Sequence, residues 1–513
     1  MRAWKAVSSS ACALALVLNS TGVVLAASTP IKHVIVIFQE NVSFDHYFGT
    51  YPNAANDDRT EPSFIASSGT PTVNGLTGAL LTNNPNGFNP FRFTRAQAAT
   101  CDQDHDYSDE QTAFDLGAMD NFLALVPNQF CTNNDVNVPN EIMGYFDGNT
   151  VTALWNYAQH FAMNDNSFGT TFGPSTPGAL NLIAGNTFGA NSGLGTTPHN
   201  QPATPGDIAG GSMVSDAQPS DDICSTRDTG FYTSNSKNIG DLLNAAGTTW
   251  GWFAGGFDLT ITNPDGSTGC KRTTTSAVTG VTKIDYIPHH EPFQYFANTR
   301  NPLHTRPTSV NTIGLSDRAN HQYDLHDFFD ATKAGNMPAV AFLKAQGYQD
   351  GHAQYSDPLD EQTFLVDTIN FLMQRPEWES TLIFIAYDDS DGWYDHQIGP
   401  IIHHSQTTAD TLTGSGMCGT APPADGQQGR CGYGPRLPFL VISPFAKHNF
   451  VDHTLTDQSS IIRFIEDNFG LGQIGGGSSD AYAGSALNMF DFSQQNGKHN
   501  VLLLDDQTGE PSK

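Results

Sequence analysis

Short apolar runs divide the chain at intervals and predict buried β-strands. Five of them are rich in β-branched and aromatic residues, at 32–38, 248–254, 338–343, 381–387 and 438–443. Each run is continuously apolar and does not alternate with polar residues, which is typical of strands covered on both faces, as in a parallel sheet. Helix patterns lie between the runs. The clearest are 358–374, with apolar residues at four-residue spacing, and 457–469, where Asp457 is a capping type.

The alternation of strands and helices predicts an α/β fold, a three-layer α/β/α sandwich around a mostly parallel central sheet. Two stretches read as excursions from it: 196–222, which is rich in Pro, Gly, Asp and Ser, and 407–435. We expect a single large domain over 27–513, in which residues 190–330 form a cap-like insertion over the sheet.

The first 26 residues have the pattern of a cleaved secretory signal peptide. Arg2 and Lys5 precede an apolar run at 11–18, and small residues follow near Ala26. The alternative is an N-terminal anchor helix, but polar residues at 19–22 interrupt a stretch that would need roughly 20 apolar residues to span a bilayer. The sequence therefore predicts export to the periplasm or the medium, with no stable membrane anchoring once the signal is removed.

Six cysteines remain after the predicted cleavage, which removes Cys12. An even number in an exported chain predicts three disulfides, for which 15 connectivities are possible. Pairing sequence neighbours is the simplest of these. That scheme joins Cys101 to Cys131, Cys224 to Cys270 and Cys418 to Cys431.

The charge balance narrows the range of partners. With 23 basic and 52 acidic side chains the net charge is 23 − 52 = −29, which excludes a nucleic-acid binder, since such a protein needs a basic face. Hydrophobic residues make up 38% of the chain, enough for a substantial core, so a disordered chain is also excluded.

Polar residues follow two of the predicted strands directly. Glu40 and Asn41 come after the first run, and Asp388 and Asp389 come after the fourth. Taken alone, an acidic pair after a strand can be a turn or a helix cap. In a parallel sheet, however, the carboxyl ends of strands share one edge, where ligands collect. Together these oxygen donors favour one divalent metal ion, and they suit Ca, Mg, Mn or Zn.

A hydroxyl pair precedes another predicted helix. Ser175 and Thr176 stand before Pro177, a residue favoured at the first helical position. Free backbone N–H groups at such a position favour an anion, so Ser175 is a candidate nucleophile beside a phosphate. The alternative is an ordinary Ser/Thr N-cap.

Four histidine positions lie in polar surroundings: His105, the pair His289 and His290, and His352. Imidazoles there could bind phosphoryl oxygens or protonate a leaving group, although each alone can equally be a surface or core histidine. The same ambiguity applies to His396, His403 and His404.

Four segments together resemble the bacterial phosphoesterase family of acid phosphatases and nonspecific phospholipases C, within the alkaline phosphatase and sulfatase superfamily. They are 32–49 (KHVIVIFQENVSFDHYFG), 172–178 (FGPSTPG), 387–396 (YDDSDGWYDH) and 434–444 (GPRLPFLVISP). The resemblance implies an alkaline phosphatase-like sandwich and a metal-dependent phosphoric ester hydrolase.

The resemblance also implies roles for particular residues. Glu40, Asn41, Asp388 and Asp389 would bind the metal, and Ser175 would be the nucleophile bound to that same ion. Four histidines would line the phosphate pocket: His105, His289, His290 and His352.

The chain departs from the family pattern in two places. Val42 stands where the first motif usually has Arg, and Ser175 stands where family phospholipases more often have Thr. Together with a chain that ends soon after its last predicted helix, Ser175 makes the sequence look more like the acid phosphatase branch.

We therefore expect a secreted acid phosphatase that hydrolyses small phosphate monoesters through a phosphoserine at Ser175. His352 or His289 would protonate the departing alcohol, and protonated imidazoles would favour activity at acidic pH. The alternatives are a phospholipase C that releases phosphorylated head groups and a binding protein of the same fold that has lost catalysis. The sequence determines neither the oligomeric state nor the natural substrate.

Overall fold

The computed structural model describes residues 27–132, 134–189, 208–226, 231–493 and 500–512. The predicted signal peptide at 1–26 and most of the first half of the excursion at 196–222 lie outside the described residues.

A single eight-stranded sheet forms the centre of the described chain. Its strands are β1 (His33–Gln39), β2 (Ala162–Asn164), β3 (Trp250–Ala254), β4 (Gln322–Asp324), β5 (Val340–Lys344), β6 (Thr381–Tyr387), β7 (Phe439–Ile442) and β8 (Phe450–Asp452). Their spatial order is β4-β3-β5-β1-β6-β7-β2-β8, and only β7 runs antiparallel to its neighbours. The mostly parallel sheet predicted from the sequence is confirmed.

The register of β1 and β6 brings their carboxyl ends together. The two strands pair in parallel from His33 opposite Thr381 to Gln39 opposite Tyr387, so both end at the same level. Almost every residue of the two strands is buried, as their unbroken apolar runs predict.

Helices pack on both faces of this sheet. The described residues contain nine α-helices: α1 (Phe44–Phe48), α2 (Ala79–Thr82), α3 (Tyr107–Phe114), α4 (Thr152–His160), α5 (Ser175–Ala184), α6 (Ile239–Ala246), α7 (Leu325–Lys333), α8 (Pro358–Met373) and α9 (Ser459–Phe469). α5 packs against α6 and α9, whereas α8 packs against α4 and, through Phe371 and Phe329, against α7. The protein therefore has the three-layer α/β/α architecture that the sequence predicts.

Element boundaries differ from the sequence patterns by a few residues. α5 begins at Ser175 and not at Pro177, and Gln458 occupies the N-cap position of α9 in place of Asp457. Asp457 instead accepts hydrogen bonds from the hydroxyls of Thr170, Ser459 and Ser460. Three strands of only three residues, β2, β4 and β8, were too short to produce a periodic signal.

The region 190–330 contains strands and a helix of the main layers as well as segments that lie outside those layers. β3, β4 and α6 belong to the main layers, whereas the hairpin of Thr273–Thr275 and Thr282–Ile284 and the 3₁₀ turn Pro288–His290 lie outside them. A cap role for the remaining segments stays a prediction.

The three disulfides join sequence neighbours, which confirms the simplest of the 15 connectivities: Cys101–Cys131, Cys224–Cys270 and Cys418–Cys431. Among the helices described, none is both long and apolar enough to cross a bilayer.

Candidate active site

The ends of β1 and β6 present adjacent polar residues. The backbone N–H of Asn41 donates to Asp388 Oδ1 at 2.9 Å, so the two strand ends are tied together. Asn41 adopts a left-handed backbone conformation, with φ 61°, which asparagine tolerates better than most residues. The sequence expectation that these two clusters converge is confirmed by this contact.

Ser175, the first residue of α5, lies against the same cluster. Its Oγ is 2.9 Å from Glu40 Oε2, 3.2 Å from Asp389 Oδ2 and 3.4 Å from Asn41 Oδ1. α5 is held close to β6 at Gly178, since a Cβ there would meet the backbone oxygen of Asp388 at 2.1 Å. Only glycine allows this approach, which places the hydroxyl at the strand ends.

The oxygen donors around Ser175 fit a divalent cation. Asp388 Oδ2 is buried and has no hydrogen-bond partner among the described residues. Burial and the neighbouring carboxylate of Asp388 raise the pKa of both Glu40 and Asp389 well above the usual range. Crowded buried carboxylates with an unsatisfied oxygen are the arrangement that a bound cation stabilises.

Lys344 is a buried member of the site that the sequence reasoning missed. Its Nζ forms an ion pair with Glu40 Oε1, while the other oxygen of Glu40 faces Ser175. Only 2% of Lys344 is exposed, and although burial opposes it, the carboxylate of Glu40 raises the pKa of the lysine. Lys344 is the last residue of β5. Its position directly after the apolar run 338–343, like that of Glu40 after the first run, could have marked it as a site residue in the sequence.

Asp391 is a second residue of the site that the sequence reasoning missed, and it contacts Asn41. Its Oδ1 accepts from Asn41 Nδ2 at 3.0 Å, and its Oδ2 accepts from the backbone N–H of Gln103. Asp391 lies inside the 387–396 motif, but the motif contains several aspartates and does not indicate that this one reaches the site. It links the strand ends to the segment that carries His105.

His105 is one of two predicted histidines that contact the oxygen cluster directly, and His290 is the other. Its Nδ1 lies 2.7 Å from the carbonyl of Gln103, and its Nε2 is 3.3 Å from Asn41 Nδ2. Although burial opposes it, the carboxylates of Asp389 and Asp391 raise the pKa of His105 well above its ordinary value.

The other three predicted histidines also reach the site. His290 Nε2 is 3.3 Å from Glu40 Oε2, the rings of His289 and His290 lie 4.5 Å apart, and the ring of His352 lies 6.2 Å from that of His105. Burial lowers the pKa of all three, which are therefore neutral near pH 7. The sequence-based expectation that the pocket histidines are protonated is therefore not met by these three.

A buried ionic network fixes the loops on which the site is built. Arg436 donates from Nη2 to Asp45 Oδ1 at 3.0 Å and to Asp395 Oδ2 at 3.1 Å, and His396 Nδ1 lies 2.6 Å from Asp45 Oδ2. Asp45 follows the Glu40 loop and Asp395 follows the Asp388 loop, so one guanidinium connects both. His396, ambiguous from the sequence, lies in this network and not at Ser175.

This network predicts a pH-dependent contribution of His396 to stability. Although burial opposes both shifts, Asp45 raises the pKa of His396 above 6.5 and His396 lowers that of Asp45 below 3.8. The contribution of His396 is therefore fully present below pH 6.5 and is lost as the pH rises through the folded-state pKa. We expect His396→Asn to lower the free energy of unfolding by about 1 kcal/mol at pH 5 and by less at pH 9.

Urea denaturation at both pH values measures this difference. His453→Asn is the matched control, because His453 pairs with Asp165 at 2.6 Å but its side chain is 69% exposed, where solvent screens the pair. A loss in His396→Asn that grew between pH 5 and pH 9 would contradict the assigned role.

Comparison with known proteins places this arrangement in a family. The model of the Phosphoesterase family matches residues 31–472, which include every oxygen donor described above. Phospholipase C B of Mycobacterium tuberculosis is 25% identical over 86% of this chain and 74% of its own length. Non-hemolytic phospholipase C of Pseudomonas aeruginosa is 24% identical over 86% of this chain but only 54% of its own length, so the chain spans about half of that relative.

A more distant relative and one solved structure complete the comparison. Non-specific phospholipase C6 of Arabidopsis thaliana is 23% identical over 82% of this chain and 63% of its own length. A solved protein of the alkaline phosphatase superfamily from Vibrio parahaemolyticus aligns with 88% of this chain and 71% of its own, at 10% identity and a TM-score of 0.29.

Proposed function

We propose, from the premise that the chain belongs to the Phosphoesterase family, that it is an exported phospholipase C-type enzyme that uses Ser175 as its nucleophile. The chain is a phosphoric ester hydrolase; the proposal adds the diester substrate, the residue roles and the compartment. The observation that carries the proposal is the position of Ser175 Oγ, within 3.4 Å of oxygen atoms from Glu40, Asn41 and Asp389 at the start of α5. The names of the matched relatives favour the diester substrate.

The residues around Ser175 are suited to phosphoryl transfer. Its hydroxyl proton has acceptors in Glu40 and Asp389, and the oxygen lies at the first turn of a helix, where the dipole favours an anionic phosphate. A divalent cation held by Glu40, Asn41, Ser175, Asp388 and Asp389 would lower the pKa of the hydroxyl and neutralise charge on the transferring phosphoryl group.

The four histidines form the wall of the site that faces the substrate in this proposal. His105 lies against Asn41, whereas His289, His290 and His352 are buried and neutral. We assign to this wall the proton transfers to the departing alcohol and from the water that hydrolyses the phosphoserine. The atoms balance, because the alcohol leaves with the proton of the Ser175 hydroxyl, and water then gives its hydroxyl to phosphorus and its other proton to Ser175 Oγ as the P–Oγ bond breaks.

Hydrolysis of phosphate monoesters is the second candidate. Ser175 itself favours it, since the family phospholipases more often have threonine at that position. The same nucleophile and the same oxygen cluster would serve a monoester, so the two candidates differ in substrate and not in chemistry.

A substrate comparison tests both. We expect the purified protein to hydrolyse p-nitrophenylphosphorylcholine with a higher kcat/KM than p-nitrophenyl phosphate, and we expect EDTA to abolish turnover until a divalent ion is restored. Readdition of Ca, Mg, Mn and Zn separately would identify the ion. Preference for the monoester would make the protein a phosphatase, and activity unaffected by exhaustive chelation would contradict the metal site.

Three disulfides support the proposed export, because such bonds persist in oxidising compartments. Fractionation of cells that express the full chain, with N-terminal sequencing of the product, measures both the compartment and the cleavage point expected near Ala26. Recovery of uncleaved protein in the cytoplasm would contradict this part of the proposal.

A further inference from the structure

One face of α3 packs against the segment that leads into Ser175. The ring of Phe114 lies 4.9 Å from the ring of Phe172, at an interplanar angle of 79°. Glu110 precedes Phe114 by four residues and therefore lies on the same face of the helix. α3 thus presents Glu110 to residues 172–174, which we call the nucleophile loop.

The carboxylate of Glu110 bridges the nucleophile loop and a second loop, at 388–392, which we call the aspartate loop. Its Oε2 accepts from the backbone N–H of Gly173 at 3.0 Å, and its Oε1 accepts from the hydroxyl of Ser390 at 2.6 Å. Gly173 stands two residues before Ser175, and Ser390 lies in the aspartate loop. One side chain therefore joins the segment that carries the nucleophile to the segment that carries two candidate metal ligands.

Both donors are directed toward Glu110 by their own loops. Gly173 has a φ of 114°, a backbone conformation that favours glycine, and a Cβ there would come within 3.3 Å of Pro177. The hydroxyl oxygen of Ser390 accepts from the backbone N–H of Gly392 at 3.0 Å, which leaves the hydroxyl proton for Glu110. The bridge therefore depends on the conformation of each loop.

Stability alone does not explain a carboxylate at this position. Glu110 is 1% exposed, and no lysine or arginine nitrogen of the described residues lies within 4.0 Å of its oxygens. Burial raises the pKa of Glu110 to about 7, although the hydrogen bonds from Ser390 and Gly173 favour the carboxylate. An apolar side chain of similar size would fill the same volume without the cost of burying a charge. The contacts that Glu110 makes therefore indicate a role in placing the two loops.

We propose that Glu110 is a positioning residue that sets the distance between the hydroxyl of Ser175 and the carboxylate of Asp389. The inference rests on the proposed function, in which Ser175 is the nucleophile and Asp389 is a metal ligand. Glu110 acts through Gly173 on one side and through Ser390 on the other, and the distance from Ser175 Oγ to Asp389 Oδ2 is 3.2 Å. Small displacements of a nucleophile slow the chemical step more than they weaken substrate binding.

Glu110→Gln tests the proposal, because it keeps the size of the side chain but leaves only one oxygen to accept from two donors. We expect kcat to fall by about tenfold, with KM within about twofold of the parent, on whichever of the two nitrophenyl esters the parent hydrolyses faster. Glu110→Ala removes the bridge and should lower kcat by about 10²-fold. A kcat equal to that of the parent in both variants, or a rise in KM at constant kcat, would overturn the proposal.

Glu141→Gln is the matched control. Glu141 is also buried, burial raises its pKa to about 7, and it accepts from the backbone N–H of Cys101 at 3.0 Å, which belongs to neither loop. We expect a loss of thermal stability comparable to that of Glu110→Gln, with kcat within about twofold of the parent. The same loss of kcat in both variants would show a general effect of buried carboxylates and would overturn the proposal.

Ser390→Ala provides a second route if Glu110→Gln folds poorly. It breaks the bridge from the aspartate loop and leaves the bond from Glu110 to Gly173 in place. We expect the same pattern, a lower kcat at a nearly unchanged KM. Parent values of both constants in this variant would contradict a role for the bridge.

Crystal structures of the parent and of Glu110→Gln, both treated with EDTA, separate this inference from the activity on which it rests. If the parent hydrolyses neither ester, the proposed function fails, but the distance from Ser175 Oγ to Asp389 Oδ2 still tests the positioning. We expect that distance to grow by more than about 0.5 Å in the variant. An unchanged distance would overturn the proposal whether or not the enzyme is active.

Discussion

Ser175→Ala is expected to lower kcat by about 10⁴-fold, with a much smaller change in KM, because the nucleophile is lost while the rest of the site remains. Ser175 is 2% exposed, and its Oγ lies within 3.4 Å of oxygen atoms of Glu40, Asn41 and Asp389. Thr176 cannot replace it, since its hydroxyl lies 3.4 Å from that of Tyr295 and its N–H donates to Asp216. Steady-state kinetics on both nitrophenyl esters, with acid trapping of the phosphoenzyme, measures the loss.

Two further variants sharpen this result. Ser68→Ala removes an exposed serine and should behave as the parent does. Ser175→Thr retains a hydroxyl and should recover part of the activity, as the family's use of threonine implies. Substantial turnover by Ser175→Ala, or a label trapped on another residue, would refute the assigned nucleophile.

Lys344→Met is expected to lower kcat by about 10²-fold and the free energy of unfolding by about 3 kcal/mol. The lysine holds one oxygen of Glu40 while the other faces Ser175, so its loss releases the carboxylate from that orientation. It also leaves a buried charge without a partner, and removing one member of a buried pair costs far more than breaking an exposed one.

Thermal unfolding and kinetics on the same preparation separate the two effects. Lys333→Met is the control, because Lys333 pairs with Asp330 at 3.8 Å on the surface of α7 and should be nearly neutral. If Lys344→Met folds poorly, Lys344→Gln retains a donor of similar length and allows kcat to be measured. A folded variant with the parent kcat would show that Glu40 needs no support from this lysine.

The disulfide pairing and the core strands illustrate what local sequence can predict. β6 matches its apolar run at both ends, and all three disulfides join sequence neighbours. β2, β4 and β8 were missed, because strands of three residues are defined by their partners and leave no periodic trace of their own.

The histidines show where pattern alone falls short. All four predicted pocket histidines lie at the site, yet three are neutral and only His105 has a raised pKa. Their types and neighbours in sequence are similar. Their environments differ because burial and charge come from residues far away along the chain, such as Asp389 against His105 and Lys283 against His352.

The sequence by itself determined the layer architecture, the five long strands and the residues that follow β1 and β6, because each depends on composition and spacing within a short segment. Only the tertiary structure decided which of those residues meet. The register of β1 against β6, the close approach of α5 at Gly178 and the position of Lys344 bring together positions up to 349 residues apart, from Glu40 to Asp389. Such convergence depends on packing between elements, which cannot be predicted from the pattern of residues within a short segment.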